Sequence, residues 1–168
     1  MFILSEKIET ELLQGEGKSY GVELLIKKNT GKLNGWIAYT YSRSFMKLDS
    51  KFKDERVNNG DFFASNFDKP HDFNSVLNYK ITKRYSFSLN FVYQTGRPIT
   101  YPTGKYTYAN SEYTLYSDRN KFRIPDYYRV DLSFNIEGSH KIKKLAHSFW
   151  NISVYNLLGR NNPYSIYF

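Results

Sequence analysis

Gly15-Glu16-Gly17-Lys18-Ser19 is the first stretch whose residue types and spacing could do chemistry. A phosphate-cradling loop needs Gly, four residues, then Gly-Lys-Ser, with a helix behind it to present free amides to the phosphate. Leu12 stands where the first Gly belongs, and Tyr20-Gly21-Val22-Glu23-Leu24 continues as an alternating strand. The stretch reads as a Gly-rich turn or strand entry. The histidines, His71, His140 and His147, lack the short regular spacing that a zinc site requires. With no cysteine there is no thiolate ligand, no thiol nucleophile and no disulfide. Carboxylate pairs able to hydrolyse glycosides would be Asp54-Glu55 or Asp126 with Asp131. The first pair sits among Lys51, Lys53 and Arg56, a solvated mixed-charge loop. The second pair is oddly spaced along an alternating segment, so its members face opposite sides. No catalytic residue, metal site or cofactor is expected, and the chain is not read as an enzyme.

Binding remains. The 168 residues carry 24 Lys+Arg against 16 Asp+Glu, a net charge of +8, and 18% are aromatic. Nucleic-acid platforms interleave cations and stacking rings on one face. Here the cations gather in links, as Lys27, Lys28, Lys32, Lys80, Lys83, Arg84, Lys141, Lys143 and Lys144, while the rings occupy apolar faces. Nucleic acid is therefore not an expected partner. Asn151-Ile152-Ser153 fits a glycosylation sequon but falls inside a strand. The best places for ligand contact are two long polar stretches, about residues 47–70 and 97–125. Their aromatics are Phe62, Phe63, Tyr101, Tyr106, Tyr108, Tyr113 and Tyr116.

Strands must position these groups. There are 13 Phe, 16 Tyr and 2 Trp, and aromatic and β-branched residues fit a pleated surface. Period-two alternation is clear in Tyr85, Phe87, Leu89, Phe91 and Tyr93 against Ser86, Ser88, Asn90, Val92 and Gln94. Tyr128, Val130, Leu132, Phe134 and Ile136 likewise oppose Tyr127, Arg129, Asp131, Ser133 and Asn135. Further strands are expected at 19–26, 36–45, 73–81, 149–157 and 164–168, and the end of another within 3–13. Tight turns at Asn29-Thr30-Gly31-Lys32 and Thr82-Lys83-Arg84, and a longer link at 137–145, alternate with the two long stretches.

Short turns at one end and long loops at the other describe an outer-membrane meander. No run of about eighteen apolar residues offers a spanning helix. Alternation alone fits two environments: a soluble sheet with its apolar face inward, or a barrel with that face toward lipid. Rings at both ends of the apolar rows and the uncharged polar Ser86, Ser88, Asn90 and Gln94 opposite the first of them favour the barrel. The expected lipid-facing residues are thus Tyr85, Phe87, Leu89, Phe91, Tyr93, Tyr128, Val130, Leu132, Phe134 and Ile136. The alternative is a soluble β-rich module binding carbohydrate or another ligand. Met1-Phe2-Ile3-Leu4 is followed at once by Glu6, Lys7, Glu9 and Glu11, which is no secretory signal. Either an intracellular chain or part of a longer one is expected.

Several phrases carry a resemblance. They are Gly17-Lys18-Ser19-Tyr20-Gly21-Val22-Glu23-Leu24-Leu25, Trp36-Ile37-Ala38-Tyr39-Thr40-Tyr41-Ser42 and His71-Asp72-Phe73. Tyr93-Gln94-Thr95-Gly96-Arg97-Pro98-Ile99-Thr100 and Ile124-Pro125-Asp126-Tyr127-Tyr128-Arg129-Val130-Asp131-Leu132 follow in order. Last comes Val154-Tyr155-Asn156-Leu157-Leu158-Gly159-Arg160-Asn161-Asn162-Pro163-Tyr164-Ser165. From about residue 15 onward the chain resembles the carboxy-terminal part of a TonB-dependent outer-membrane receptor of the Bacteroidota type. The resemblance implies an all-β fold: an antiparallel meander of about seven strands, a partial sector of a transmembrane barrel of about 22 strands. It implies that residues 1–168 form a carboxy-terminal fragment without plug domain or signal peptide, whose last barrel strand is missing. The implied partners are outer-membrane lipid, the remaining strands and plug, TonB through an amino-terminal region, and an imported nutrient ligand.

Overall fold

The computed structural model describes residues 13–138, 148–163 and 166. Its regular elements are strands: β1 (Glu16–Lys28), β2 (Leu33–Lys47), β3 (Phe63–Ala64), β4 (His71–Lys80) and β5 (Tyr85–Gln94). Then come β6 (Pro98–Ile99), β7 (Pro102–Tyr108), β8 (Ser111–Tyr116), β9 (Phe122–Arg123), β10 (Tyr127–Glu137) and β11 (Phe149–Val154). Two short 3-10 turns, Lys53–Glu55 and Asn58–Gly60, lie between β2 and β3. The main sheet runs β1-β2-β4-β5-β10-β11, with β3 added beside β2. Every pairing is antiparallel. The expected all-β meander is what forms.

Register brings the alternating rows together across strands. Tyr39, Phe73, Tyr93 and Tyr128 make one row, and Leu77, Leu89, Leu132 and Val154 another. Tyr79, Phe87, Phe134 and Ile152 form the next, toward the short turns. A band of leucines is thus bracketed by rings on one face. The opposite face carries Asn78, Ser88, Ser133 and Ser153, then Lys80, Ser86, Asn135 and Asn151. A one-residue slip would exchange these faces, so the pattern pins the register.

Among the described residues no second layer covers the apolar face. Among the described residues the buried apolar side chains are Phe63, 7% exposed, and Pro98, whereas Leu24, Ile26, Phe87, Trp150 and Ile152 are all exposed. A soluble two-layer domain would bury such rows against another sheet. Here they lie bare.

The structure also revises the expected elements. β1 and β2 are longer than 19–26 and 36–45, because Gly17-Lys18 and Met46 continue the ladder. The segment expected at 149–157 ends at Val154, since Asn156 takes a left-handed φ of 52°. The strand expected at 164–168 and the one within 3–13 fall essentially outside the described residues, as do His140, His147, Lys141, Lys143 and Lys144. The long stretches are not bare loops: they contain β3, a β6–β9 pair and a β7–β8 hairpin. Ala109 and Asn110 turn that hairpin with φ of 48° and 63°, the twist-matched conformation usually given to Asn-Gly.

Candidate functional site

The meander places both long connections, 48–70 and 95–126, at the same end of the sheet. There they form one cap. Its centre is Asp68, 1% exposed. Oδ1 accepts the Ser44 amide at 2.7 Å and Arg43 Nε at 3.1 Å. Oδ2 accepts Arg123 Nη2, and Arg123 Nη1 also donates to the carbonyls of Asp68 (2.7 Å) and Gly96 (3.0 Å). One carboxylate therefore ties β2, the first long connection and the second. Burial by itself would raise the Asp68 pKa, but the Ser44 amide and the two guanidinium groups overcome it and hold the carboxyl below its ordinary range.

Asparagines complete the joint. Asn58 accepts the Arg119 amide at 2.7 Å and donates to the Arg119 carbonyl at 2.9 Å. Asn120 donates to Ala64 O (2.8 Å) and Asn66 Oδ1 (2.9 Å). Gly96 lies so close to the returning chain that a Cβ there would stand 1.8 Å from Ile124 O. Its amide donates to Asp126 Oδ1 at 2.9 Å, and Tyr93 Oη donates to Asp126 Oδ2 at 2.7 Å. The Gly96 amide chiefly, with Tyr93, lowers the Asp126 carboxyl from its ordinary value against the opposing effect of burial. Thus Gln94-Thr95-Gly96-Arg97-Pro98-Ile99 and Arg123-Ile124-Pro125-Asp126, distant in sequence, meet as one unit.

The expected contact aromatics divide. Tyr106 and Tyr113 are paired across the β7–β8 hairpin and stack at 5.5 Å between centroids. Together with exposed Tyr108 and Leu115 they make an open platform. Tyr101 packs edge-on against Phe122 at 6.0 Å. Tyr116 lines a cleft between the two connections with Asn66, Arg97, Thr100 and Arg119. Phe62 sits beneath Lys18 Nζ (3.9 Å from the ring centroid), on the same side as Phe45. Phe63 is buried opposite Met46 and serves as packing, which removes it from the contact set. The expected apolar-face residues fall as cross-strand partners: Tyr85 with Ile136, Phe87 with Phe134, Leu89 with Leu132, Phe91 with Val130, Tyr93 with Tyr128. All five pairs lie on one face.

On the other face polar side chains join into a ladder. Asn135 Nδ2 donates to Ser88 Oγ (3.1 Å), Asn151 Nδ2 to Asn135 Oδ1 (2.5 Å), and the Ser133 and Ser153 hydroxyls meet at 2.9 Å. Gln94 Nε2 donates to Asp72 Oδ2 at 2.8 Å. Such a face suits water. Asp126 precedes β10 and Asp131 lies within it, each held by its own partners, Asp131 by Arg129 and the Asn156 amide. They do not form a catalytic pair.

An unlayered antiparallel sheet, apolar on one face and hydrogen-bonded on the other, with its loops gathered at one end, defines the wall of an outer-membrane β-barrel. The family model described as "TonB dependent receptor-like, beta-barrel" matches residues 9–157, and the chain belongs to that family. The family is one of outer-membrane receptors rather than enzymes. No curated protein and no solved structure matches the chain.

The residues that sequence reasoning passed over are Asp68, Arg123, Asn58 and Asn120. Their signal was the density of Asn and Asp in the long connections, which can mean turns or solvation as readily as a joint.

Proposed function

We propose that the chain forms a sector of the wall of a TonB-dependent importer that binds a scarce nutrient at the capped end. The nutrient then passes through a wet lumen with energy relayed by TonB. In this reading Tyr85, Phe87, Leu89, Phe91, Tyr93, Tyr128, Val130, Leu132, Phe134 and Ile136 touch outer-membrane lipid. The observation that carries it is the bare, in-register apolar face across β4, β5 and β10, backed by a polar ladder. β1 and β11 end the sheet, each paired on one side among the described residues. Lipid cannot satisfy those free backbone groups. Further strands of the parent receptor complete the wall, and its plug closes the barrel. Tyr106, Tyr108 and Tyr113, with Tyr101 and Tyr116, supply ligand contact at the cap, and the receptor is of the Bacteroidota type.

No cysteine occurs in these 168 residues, so single cysteines in a receptor otherwise stripped of them give the test. Single Ser88→Cys and Leu89→Cys variants, in membranes containing the receptor, are treated with a membrane-impermeant maleimide. Ser88→Cys labels and Leu89→Cys does not; equal labelling ends the proposed orientation. Deleting the 102–116 hairpin abolishes uptake while leaving the receptor inserted. Uptake that survives the deletion removes the platform from the ligand path.

A further inference from the structure

All the arginines but Arg97 and Arg119 have side-chain partners. Arg43 and Arg123 hold Asp68, Arg129 holds Asp131, and Arg56 pairs with Asp49. Arg84 donates to Glu137 O, and Arg160 to Tyr128 Oη and Asp126 O. The guanidinium groups of Arg97 and Arg119 take no partner among the described residues, and both line the cleft of about 560 Å³ between the two long connections. Asn66, Thr100, Tyr116 and Asn120 add to its walls, and no carboxylate stands among its described lining residues. Asp118, next to Arg119 in sequence, is taken by Lys121 Nζ at 2.9 Å. The backbone beneath both cations is held firmly. Asn58 clasps the amide and the carbonyl of Arg119, at 2.7 and 2.9 Å. The Arg97 carbonyl accepts the Ile124 amide at 3.1 Å, beside the fully buried Pro98. Thr100 Oγ1 accepts the Asn120 amide at 3.1 Å and ties one wall to the other.

We propose that this cleft binds an oxyanion group, carboxylate or phosphate, of the imported nutrient. The inference rests on the reading above that the capped end receives that nutrient. Like charges sharing one cleft without a counter-charge repel each other, and an anion relieves both at once. A guanidinium fork matches the plane of a carboxylate or phosphate and gives it charge-assisted hydrogen bonds. The exposed Tyr116 ring beside the forks offers a flat surface to the body of the nutrient. A neutral ligand would leave both cations uncompensated.

Charge-selective labelling of the whole receptor in outer membranes, carrying single cysteines in a background free of others, tests this. Tyr116→Cys reads the cleft, and Tyr106→Cys reads the open platform outside it. Rates are normalised to free cysteine in solution. The Tyr116→Cys thiol reacts about tenfold or more faster with a sulfonate-bearing methanethiosulfonate than with a trimethylammonium-bearing one. Combined Arg97→Gln and Arg119→Gln removes that preference, whereas combined Lys51→Gln, Lys53→Gln and Lys105→Gln leaves it. Citrate or inorganic phosphate, at constant ionic strength, slows the sulfonate reaction, and maltose does not. Protection by citrate alone assigns a carboxylate, by phosphate alone a phosphate, and by both the chemistry they share. An absent preference, one kept by the arginine variant or lost with the lysines, protection by neither anion, or equal protection by maltose overturns the cleft alone. On whole cells a maleimide too large for outer-membrane pores labels Tyr106→Cys. Failure of that labelling overturns the capped-end reading, and the cleft with it.

Discussion

The β4–β5–β10 sheet and the cap above it hold together by opposite means. In the sheet, backbone ladders supply the joints, and side chains need only the right polarity for the face on which they fall. Leucine bands, ring rows and Ser/Asn rows each repeat a type rather than rely on one residue. In the cap the joints are individual side chains. Asp68 alone connects Ser44, Arg43 and Arg123, and Asn58 and Asn120 each close a bond pair that no neighbour duplicates. Redundant order tolerates substitution of like for like. Singular order does not, because losing one partner leaves buried donors unpaired.

Asp68→Ala gives the largest effect. It strands two guanidinium groups and the Ser44 amide and costs about 3 kcal/mol or more. Limited proteolysis of the cap, with the sheet still protected, reads the loss. If the cap stays protected, its centre lies elsewhere. Leu89→Arg comes next, at about 2–4 kcal/mol near the bilayer midplane, while Ser88→Arg on the polar face costs much less. Urea unfolding in lipid compares them, and equal costs would erase the distinction between faces. Gly96→Ala forces a methyl group onto Ile124 O, an overpacking cost of about 1–3 kcal/mol. Faster hydrogen exchange at the Ile124 amide reports it.

Acid sharpens the same contrast. The Asp68 carboxyl is lowered in the folded cap. Its stabilisation is therefore complete above the ordinary carboxylate pKa of about 3.9 and is lost as pH falls below that value through the depressed one. Exchange at the Ser44 amide accelerates only in that acidic window, whereas Ser88 and Leu89 in the sheet show no such step. Asp68→Asn abolishes the pH dependence at Ser44. The smallest effect is a gain. Ala109→Gly relieves a left-handed φ of 48° and stabilises the β7–β8 hairpin by about 1 kcal/mol, seen as slower exchange at the Tyr106 and Tyr113 amides.

Legibility followed this division. The β5 and β10 rows could be read residue by residue, since period two and residue type determine a face once the chain is a strand. β1 and β2 were read short at both ends because Gly17, Lys18, Gly35 and Met46 lack strand character by type, yet they pair with a neighbour all the same. The cap was read only as length and polarity. Asp68 and Arg123 are 55 positions apart, and no local pattern links them. Phe63 looked like its neighbour Phe62 until strand pairing buried one and left the other under Lys18.

Alternation and turn spacing, by themselves, determined an antiparallel meander with one greasy and one polar side and its long connections at one end. Those properties are local, repeating every second residue. Tertiary structure decided that, among the described residues, the greasy side stays uncovered, and that two polar connections close into a single joint around one buried carboxylate. Each of these depends on which distant segments become neighbours, and a linear pattern holds no record of that.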